Sequence, residues 1–565
     1  MTAVVGDAAA PDAAEDVGER RAGSGDTRGA RRLLAAVLVA VNLPIVVATV
    51  RALARGWQPM GDNGVLVVRA GDVGTAHNPM LGSWTSASLV LDTNVNNPGP
   101  LYFDVIAPAV KVLGSSVGLA VGVMLVNVAA ASLAVVVARR LGGTETMVAV
   151  GIAVAGLQWA MGSELLFDVW QPNALVLPFF AFLVVVSALA NGDLVMAPWA
   201  VGLGSLLVQT HMSHAVLVAV LSAAAAALCV WSCRRPRDAV RWRRPLLWTA
   251  AVALAAWIQP LVEQFTGPGQ GNLSRIASAA SQETATFGWS TATRMVAEVV
   301  ALSPWFGRDS YASAIPSSGP DHAITGIVSP AGAAVIVIGL LVGMAAATRW
   351  ALRSERRGLA AMTTMAGLAL VTAVVGLATS PVSLFGASLH QMRWLWPIAG
   401  LLTAAGVAVL LSLLHSRPRV HRPMVMAAVG VVVLVAAANL PTHVSGSTGP
   451  IDRIDELAAG RELVGQLGAL EGRGPVLYDP STLYFGEPYS GMTFAELEDR
   501  GISFVFADEV SVRQFGEGRR DDGTATLRLW QEQGSAARDV PSGAERVAFV
   551  EGPEGPVALF VEPIG

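Results

Sequence analysis

The 565-residue sequence is poor in charge: Asp, Glu, Lys and Arg make up 14% of it, against about 25% in an ordinary soluble protein. Lipid tolerates few charges, so the deficit points away from a soluble protein and towards a polytopic membrane one. With a net charge of −4, nothing suggests a nucleic-acid partner. Cysteine is almost absent: Cys229 and Cys233 stand alone beside an Arg cluster. With no further Cys or His nearby they make a poor metal site and read as packing residues. Lysine is rarer still. Lys111 is the single one, a bias towards Arg that fits a GC-rich bacterial genome.

What the chain has is apolar sequence, 53% hydrophobic with a mean hydropathy of +0.53. Residues 1–32 lack apolar periodicity and are expected to form a disordered leader ending in Arg28, Arg31 and Arg32. About eleven apolar runs follow, near residues 33–50, 112–138, 147–162, 173–190, 194–208, 213–231, 246–262, 327–347, 359–379, 394–414 and 424–440. Several are nearer 16 than 20 residues, as expected of tilted or cavity-lining helices. Eleven spans put every basic cluster on one side: Arg28–Arg32, Arg139/Arg140, Arg234–Arg244, Arg349–Arg357 and Arg417–Arg422. By the positive-inside rule the N-terminus is cytoplasmic and the C-terminus lies outside.

The remaining connections then face outwards, including residues 51–111, 263–326 and everything after Pro441. Residues 263–326 are long enough to read as a partly helical insertion. Half of the acidic residues lie after Pro450, where helical and strand-like patterns replace the apolar runs. Residues 441–565 therefore read as a small soluble α/β domain with strands near 474–479, 502–508, 545–552 and 556–562 and a helix near 493–500. This domain has no phosphate-binding glycine loop and no catalytic-triad spacing. Its acidity reads as a solvated surface, with contact to glycan as the sharper alternative.

The polar stretch Gly61–Asp104 carries Asp62, Asp72, Asp92, Asp104, Arg69 and His77, and ends in the turn Asn96-Asn97-Pro98-Gly99-Pro100. Asp62 belongs at the membrane–water boundary. VLVVRA, between it and Asp72, suits a helix lying on the membrane surface. A carboxylate at that depth is suited to accept a proton from a sugar hydroxyl, or to hold a divalent cation beside a lipid phosphate. It serves equally well as a plain helix cap. Glu164 and Asp168 form a second outer carboxylate pair, four residues apart and so on one face if helical. His211 and His214 lack a third ligand in sequence and read as cavity histidines. Arg393 is an outer cation that suits a phosphate, or an interfacial Arg beside Trp394 and Trp396.

Here the sequence resembles the GT-C superfamily of polyprenyl-phosphate-sugar-dependent glycosyltransferases, and is most similar to bacterial protein mannosyltransferases and aminoarabinose transferases. The resemblance rests on Gly61-Asp62-Asn63, Arg69 to Asp72, Pro98-Gly99-Pro100-Leu101, Trp170-Gln171-Pro172-Asn173, Gln209-Thr210-His211, Trp257-Ile258-Gln259-Pro260 and Met392-Arg393-Trp394. It spans roughly residues 33–440. Relatives carry His before Pro-Gly-Pro where this sequence has Asn97.

The resemblance implies a sugar transfer from a polyprenyl-phosphate donor to a glycan, lipid or protein acceptor outside the cytoplasm, in a bacterial inner membrane. Asp62 is then the expected general base, with Asp72 second or a metal partner for Mg or Mn. Arg69, His77, Asn97, Glu164, Asp168, Gln171, Asn173, His211, Gln259 and Arg393 are the expected donor- and acceptor-binding residues. Asp92 and Asp104 are expected to be structural. A lipid-linked-glycan flippase is the alternative, but the spans show few central charges and no internal repeat. A non-catalytic envelope scaffold is the third reading.

Overall fold

The computed structural model describes residues 15–89, 91, 93–233, 240–282, 284–301, 328–382, 392–442, 454–484 and 486–564. In order, the helices are α1 (Glu15–Ala54), α2 (Asp62–Asp72), α3 (Leu101–Leu113), α4 (Ser115–Leu165), α5 (Gln171–Ala174), α6 (Val176–Ala190), α7 (Ala197–Thr210), α8 (Ala215–Cys233) and α9 (Val240–Thr266). They continue with α10 (Asn272–Ala280), α11 (Gly288–Val300), α12 (Pro330–Arg353), α13 (Arg357–Thr379), α14 (Leu395–Leu413) and α15 (Pro418–Ala438). The C-terminal part adds α16 (Ile454–Gly465), α17 (Tyr489–Asp499), α18 (Glu509–Phe515) and five strands. These are β1 (Val476–Asp479), β2 (Phe504–Val505), β3 (Leu527–Gln533), β4 (Glu545–Gly552) and β5 (Gly555–Pro563).

Nine helices among the described residues are long and apolar enough to cross a membrane, and residues 194–210 form a shorter apolar helix. The 51 residues of α4 would extend about 76 Å if straight, more than twice the roughly 30 Å of a hydrocarbon core. They are two arms. The break is at Gly142 and Gly143, where Gly143 takes φ 74°, a left-handed conformation that a side chain would strain. Counting both arms and the short helix recovers the eleven apolar segments. Helix α6 is apolar all round and every residue of it is buried, so it is the axis of the bundle. Around it, α9 and α12 sit at the rim, mostly uncovered by protein. Cys229 is buried in the bundle.

The helix of the first span runs from Glu15 to Ala54. After Pro100 the chain does not run straight into α4. It forms α3, 13 residues and about 20 Å long, then reverses at Gly114 (φ 80°) to pack against α4. Nor does α2 lie on a membrane surface. Residues 63–70 are buried without a break, because Val65, Leu66, Val67 and Val68 leave the helix no polar face.

What covers α2 is the C-terminal domain. Its sheet has the order β2-β1-β3-β5-β4, with β1 parallel to both neighbours and β3, β5 and β4 antiparallel in turn. Phe494, Phe504, Phe506 and Phe515 stack below the sheet in one core with Val65–Val68, Phe103 and Ile106. The soluble domain and the polar loop thus share a core.

Their closest approach is backbone to backbone. A Cβ at Gly64 would overlap the carbonyl of Gly491, and a Cβ at Gly491 would overlap that of Gly61, whose amide donates to the Pro488 carbonyl at 3.1 Å. Overpacking of this kind costs about 1–3 kcal/mol. Gly491→Ala is therefore expected to lower the thermal unfolding midpoint of the detergent-purified protein. An unchanged midpoint would show that α2 and α17 are not in contact.

Candidate active site

The candidate site forms where α2 begins, α4 ends and α14 begins. Asp62 opens α2, and its Oδ2 accepts the indole N–H of Trp170 at 3.1 Å. Its Oδ1 takes no hydrogen bond from the described residues. The residue is exposed to solvent, yet protein lies close around it. That desolvation, helped by the nearby Asp168 and opposed by the Trp170 bond, raises the Asp62 carboxyl above its ordinary range.

Asp168 is the opposite case. It is buried and fully engaged: Asn63 donates to Oδ1 at 3.2 Å, the Trp170 amide to Oδ1 at 3.2 Å, and Asn173 to Oδ2 at 2.5 Å. Burial raises its carboxyl too, against these bonds and the charge of Arg393. Asp168 therefore acts through what it holds. It fixes Asn63, next to Asp62 in sequence, and the turn that delivers Trp170. The expected Glu164–Asp168 helix face does not exist, since α4 ends at Leu165, three residues past the left-handed Gly162 (φ 71°). Glu164 is half-buried at that end.

Arg393 lies just before α14 and is buried, with its guanidinium 4.8 Å from the centre of the Trp396 ring. Its Nε and Nη1 have no hydrogen-bond partner among the described residues. Burial pulls its pKa down to about 10, with Asp168 acting in the other direction, so it stays charged at neutral pH. A buried guanidinium with unused donors is costly until an anion fills them.

The other expected residues divide. Gln171 donates to Ser83 Oγ at 2.6 Å, and Asn97 donates to the Ser83 carbonyl at 3.2 Å while accepting the Met212 amide at 2.9 Å. His211 pairs through Nδ1 with Ser213 Oγ at 2.7 Å. These residues join the pre-α3 turn to the ends of α5 and α7, beside the Asp62–Asp168 group. Gln259 hydrogen-bonds Asp104. Asp92 lies outside the described residues.

Asp72, Arg69 and His77 are corrections. Asp72 is buried against Arg519, which reaches it through Nε at 2.9 Å and Nη2 at 2.6 Å. Ten residues of helix separate it from Asp62, about 15 Å. His77 faces Asp72 at 3.6 Å. Arg69 is buried and donates to the carbonyls of Phe515 and Leu81. All three belong to the seam with the C-terminal domain. Their partners lie up to 447 residues away, so no local pattern could reveal them.

Nor does an Asp62/Asp72 metal pair form. Three N–H donors fill most of the roughly four lone-pair sites of Asp168, and the charge of Arg393 lies nearby, so Asp168 is a poor cation ligand. Asp62 and Asp168 alone make a sparse donor set for a divalent ion. Asn63 and Trp170, which the sequence did not single out, join the site through these hydrogen bonds, and both lie inside the motifs that carry the resemblance.

No family model and no curated protein matches this sequence. Solved structures do match. ArnT from Cupriavidus metallidurans aligns over 95% of this chain and 98% of its own with a TM-score of 0.51, at 12% identity in the apo state. The same enzyme bound to undecaprenyl phosphate aligns equally well at 13% identity. The chain has the GT-C fold. An Archaeoglobus fulgidus oligosaccharyltransferase is also similar, at 11% identity over 88% of this chain and 69% of its own, but its TM-score of 0.37 adds nothing to the assignment. In the GT-C frame the eleven apolar segments form the membrane domain, and the C-terminal sheet is the small domain set against its loops.

Proposed function

We propose that this protein is a membrane glycosyltransferase that moves a sugar from a polyprenyl-phosphate donor to an acceptor at the outer membrane face. The observation that carries the reading is the buried pair of Arg393 donors, without a partner among the described residues, near Asp168, which itself lies near Asp62. The GT-C fold and the undecaprenyl phosphate bound by ArnT support it. The distribution of basic clusters supports an outward-facing site.

In this reading Arg393 binds the phosphate of the donor, bidentately through Nε and an Nη. Asp62 takes the proton of the acceptor hydroxyl as its oxygen bonds to the sugar's anomeric carbon. The bond from that carbon to the phosphate oxygen breaks, and polyprenyl phosphate leaves with its new charge against Arg393. Asp168 positions Asn63 and Trp170, and Trp170 aims Asp62. A hexose or a pentose fits this chemistry equally.

The test is a reconstitution. Purified protein in liposomes, given labelled polyprenyl-phosphate sugars, should release polyprenyl phosphate and form a new glycosidic bond. Transbilayer movement of intact donor with no bond formed would favour a flippase instead. Arg393→Gln should raise the donor KM about 10- to 100-fold, the equivalent of a lost hydrogen bond to a charged group, with a smaller effect on kcat. An unchanged KM would remove Arg393 from the phosphate site.

A further inference from the structure

At the end of the bundle opposite Asp62, three side chains meet that the proposed reaction does not use. Glu145 follows the Gly142–Gly143 break and starts the second arm of α4. His415 lies in the turn after α14, and His421 in the first turns of α15. His415 Nδ1 is 2.9 Å and His421 Nε2 3.1 Å from the same oxygen, Glu145 Oε1. The two rings are 5.0 Å apart. The second arm of α4 and the length of α14 place this cluster about 30 Å from Asp168 and Arg393.

We propose that Glu145, His415 and His421 bind a first-row divalent transition-metal ion, zinc by preference, which clips the α14–α15 turn to the break in α4. Two imidazoles and one carboxylate make a common ligand set for such ions. One ligand atom from each residue lies within 4.8 Å of the others. Tetrahedral zinc bonds of about 2.0–2.1 Å separate neighbouring ligand atoms by roughly 3.3 Å. The present 2.9 and 3.1 Å need to open by only a few tenths of an ångström.

Access exists, because the His415 side chain is 60% exposed while Glu145 is 10% and His421 18% exposed. A water would complete the coordination from the His415 side. Arg356, whose Nη1 is held by Ser412 Oγ at 3.2 Å, adds positive charge near Glu145. Its charge counts most against hard ions that depend on carboxylates. A metal held mainly by neutral imidazoles tolerates it better, which sets zinc or cobalt above magnesium or calcium.

The experiment uses full-length, tag-free protein stripped with chelator and titrated with Co(II) in detergent. One Co(II) per chain is expected, with visible ligand-field absorption that zinc abolishes and a large excess of Mg does not. His415→Gln, an exposed change that leaves folding intact, should weaken Co(II) binding about 100-fold or more, since losing a ligand costs at least as much as losing an outer-shell partner. Glu145→Gln should do the same, and the distant His77→Gln should do nothing. Wild-type protein that binds no more Co(II) than His415→Gln, or binding equally displaced by Mg, would overturn the site.

Discussion

Asp62→Asn is expected to lower kcat by about 10²–10⁴-fold, the usual contribution of a positioned general base. The amide keeps the size of the side chain and can still accept the Trp170 indole N–H, so the fold and donor KM should change little. The pH profile supplies a second readout. The active form of a base is the carboxylate, and the surrounding protein raises the Asp62 carboxyl from its ordinary value. Activity should therefore fall on acidification at a higher pH than for an exposed aspartate. Trp170→Phe removes the one hydrogen bond that opposes this shift, so it should move the acid limb of the profile to still higher pH. An Asp62→Asn enzyme that turns over normally would rule out the base. A wild-type acid limb in the ordinary carboxylate range would show that Asp62 is well solvated instead.

How much of this was legible follows from the distance over which each feature is determined. The eleven apolar segments are local: each needs only about twenty residues of its own composition. The double-armed α4 was legible for the same reason, since its glycines and Arg139/Arg140 interrupt two separate apolar runs. Strands β1, β4 and β5 also showed locally. Strand β3 did not, because LRLWQEQ carries Arg528, Gln531 and Glu532, whose partners come from elsewhere. Arg528 meets Asp479 and Glu562, and Gln531 meets Glu487.

Within the site, Asp62 stands on a motif that carries the resemblance, and Asp168 lies two residues before another. Their difference in character is not local at all. Asp168 is buried and held by three N–H donors because Asn63 of α2, the Trp170 amide and Asn173 of α5 converge on it. VLVVRA between Asp62 and Asp72 misled for a related reason. Lipid and a second protein core bury valines alike, and only the tertiary structure says which one covers them.

The Asp72–Arg519 pair is where the seam should be most fragile. Both side chains are almost fully buried, and Glu498 adds a contact to Arg519 at 2.8 Å. Arg519→Ala takes from Asp72 its bidentate partner in a closed interface and leaves only the longer His77 contact, a change that typically costs about 3–5 kcal/mol. The loss should appear as a lower unfolding midpoint and as protease sensitivity at the C-terminal domain. Asp72→Asn alone should cost less, because Arg519 keeps Glu498. Replacing both, as Asp72→Leu with Arg519→Met, removes the buried charges together and should recover most of the lost stability. Activity in that double variant then separates two roles. A structural Asp72 predicts that sugar transfer returns with the fold, whereas a catalytic one predicts a stable but inactive protein. The geometry favours the first outcome, since about 15 Å of helix and a bidentate arginine stand between Asp72 and the reacting groups.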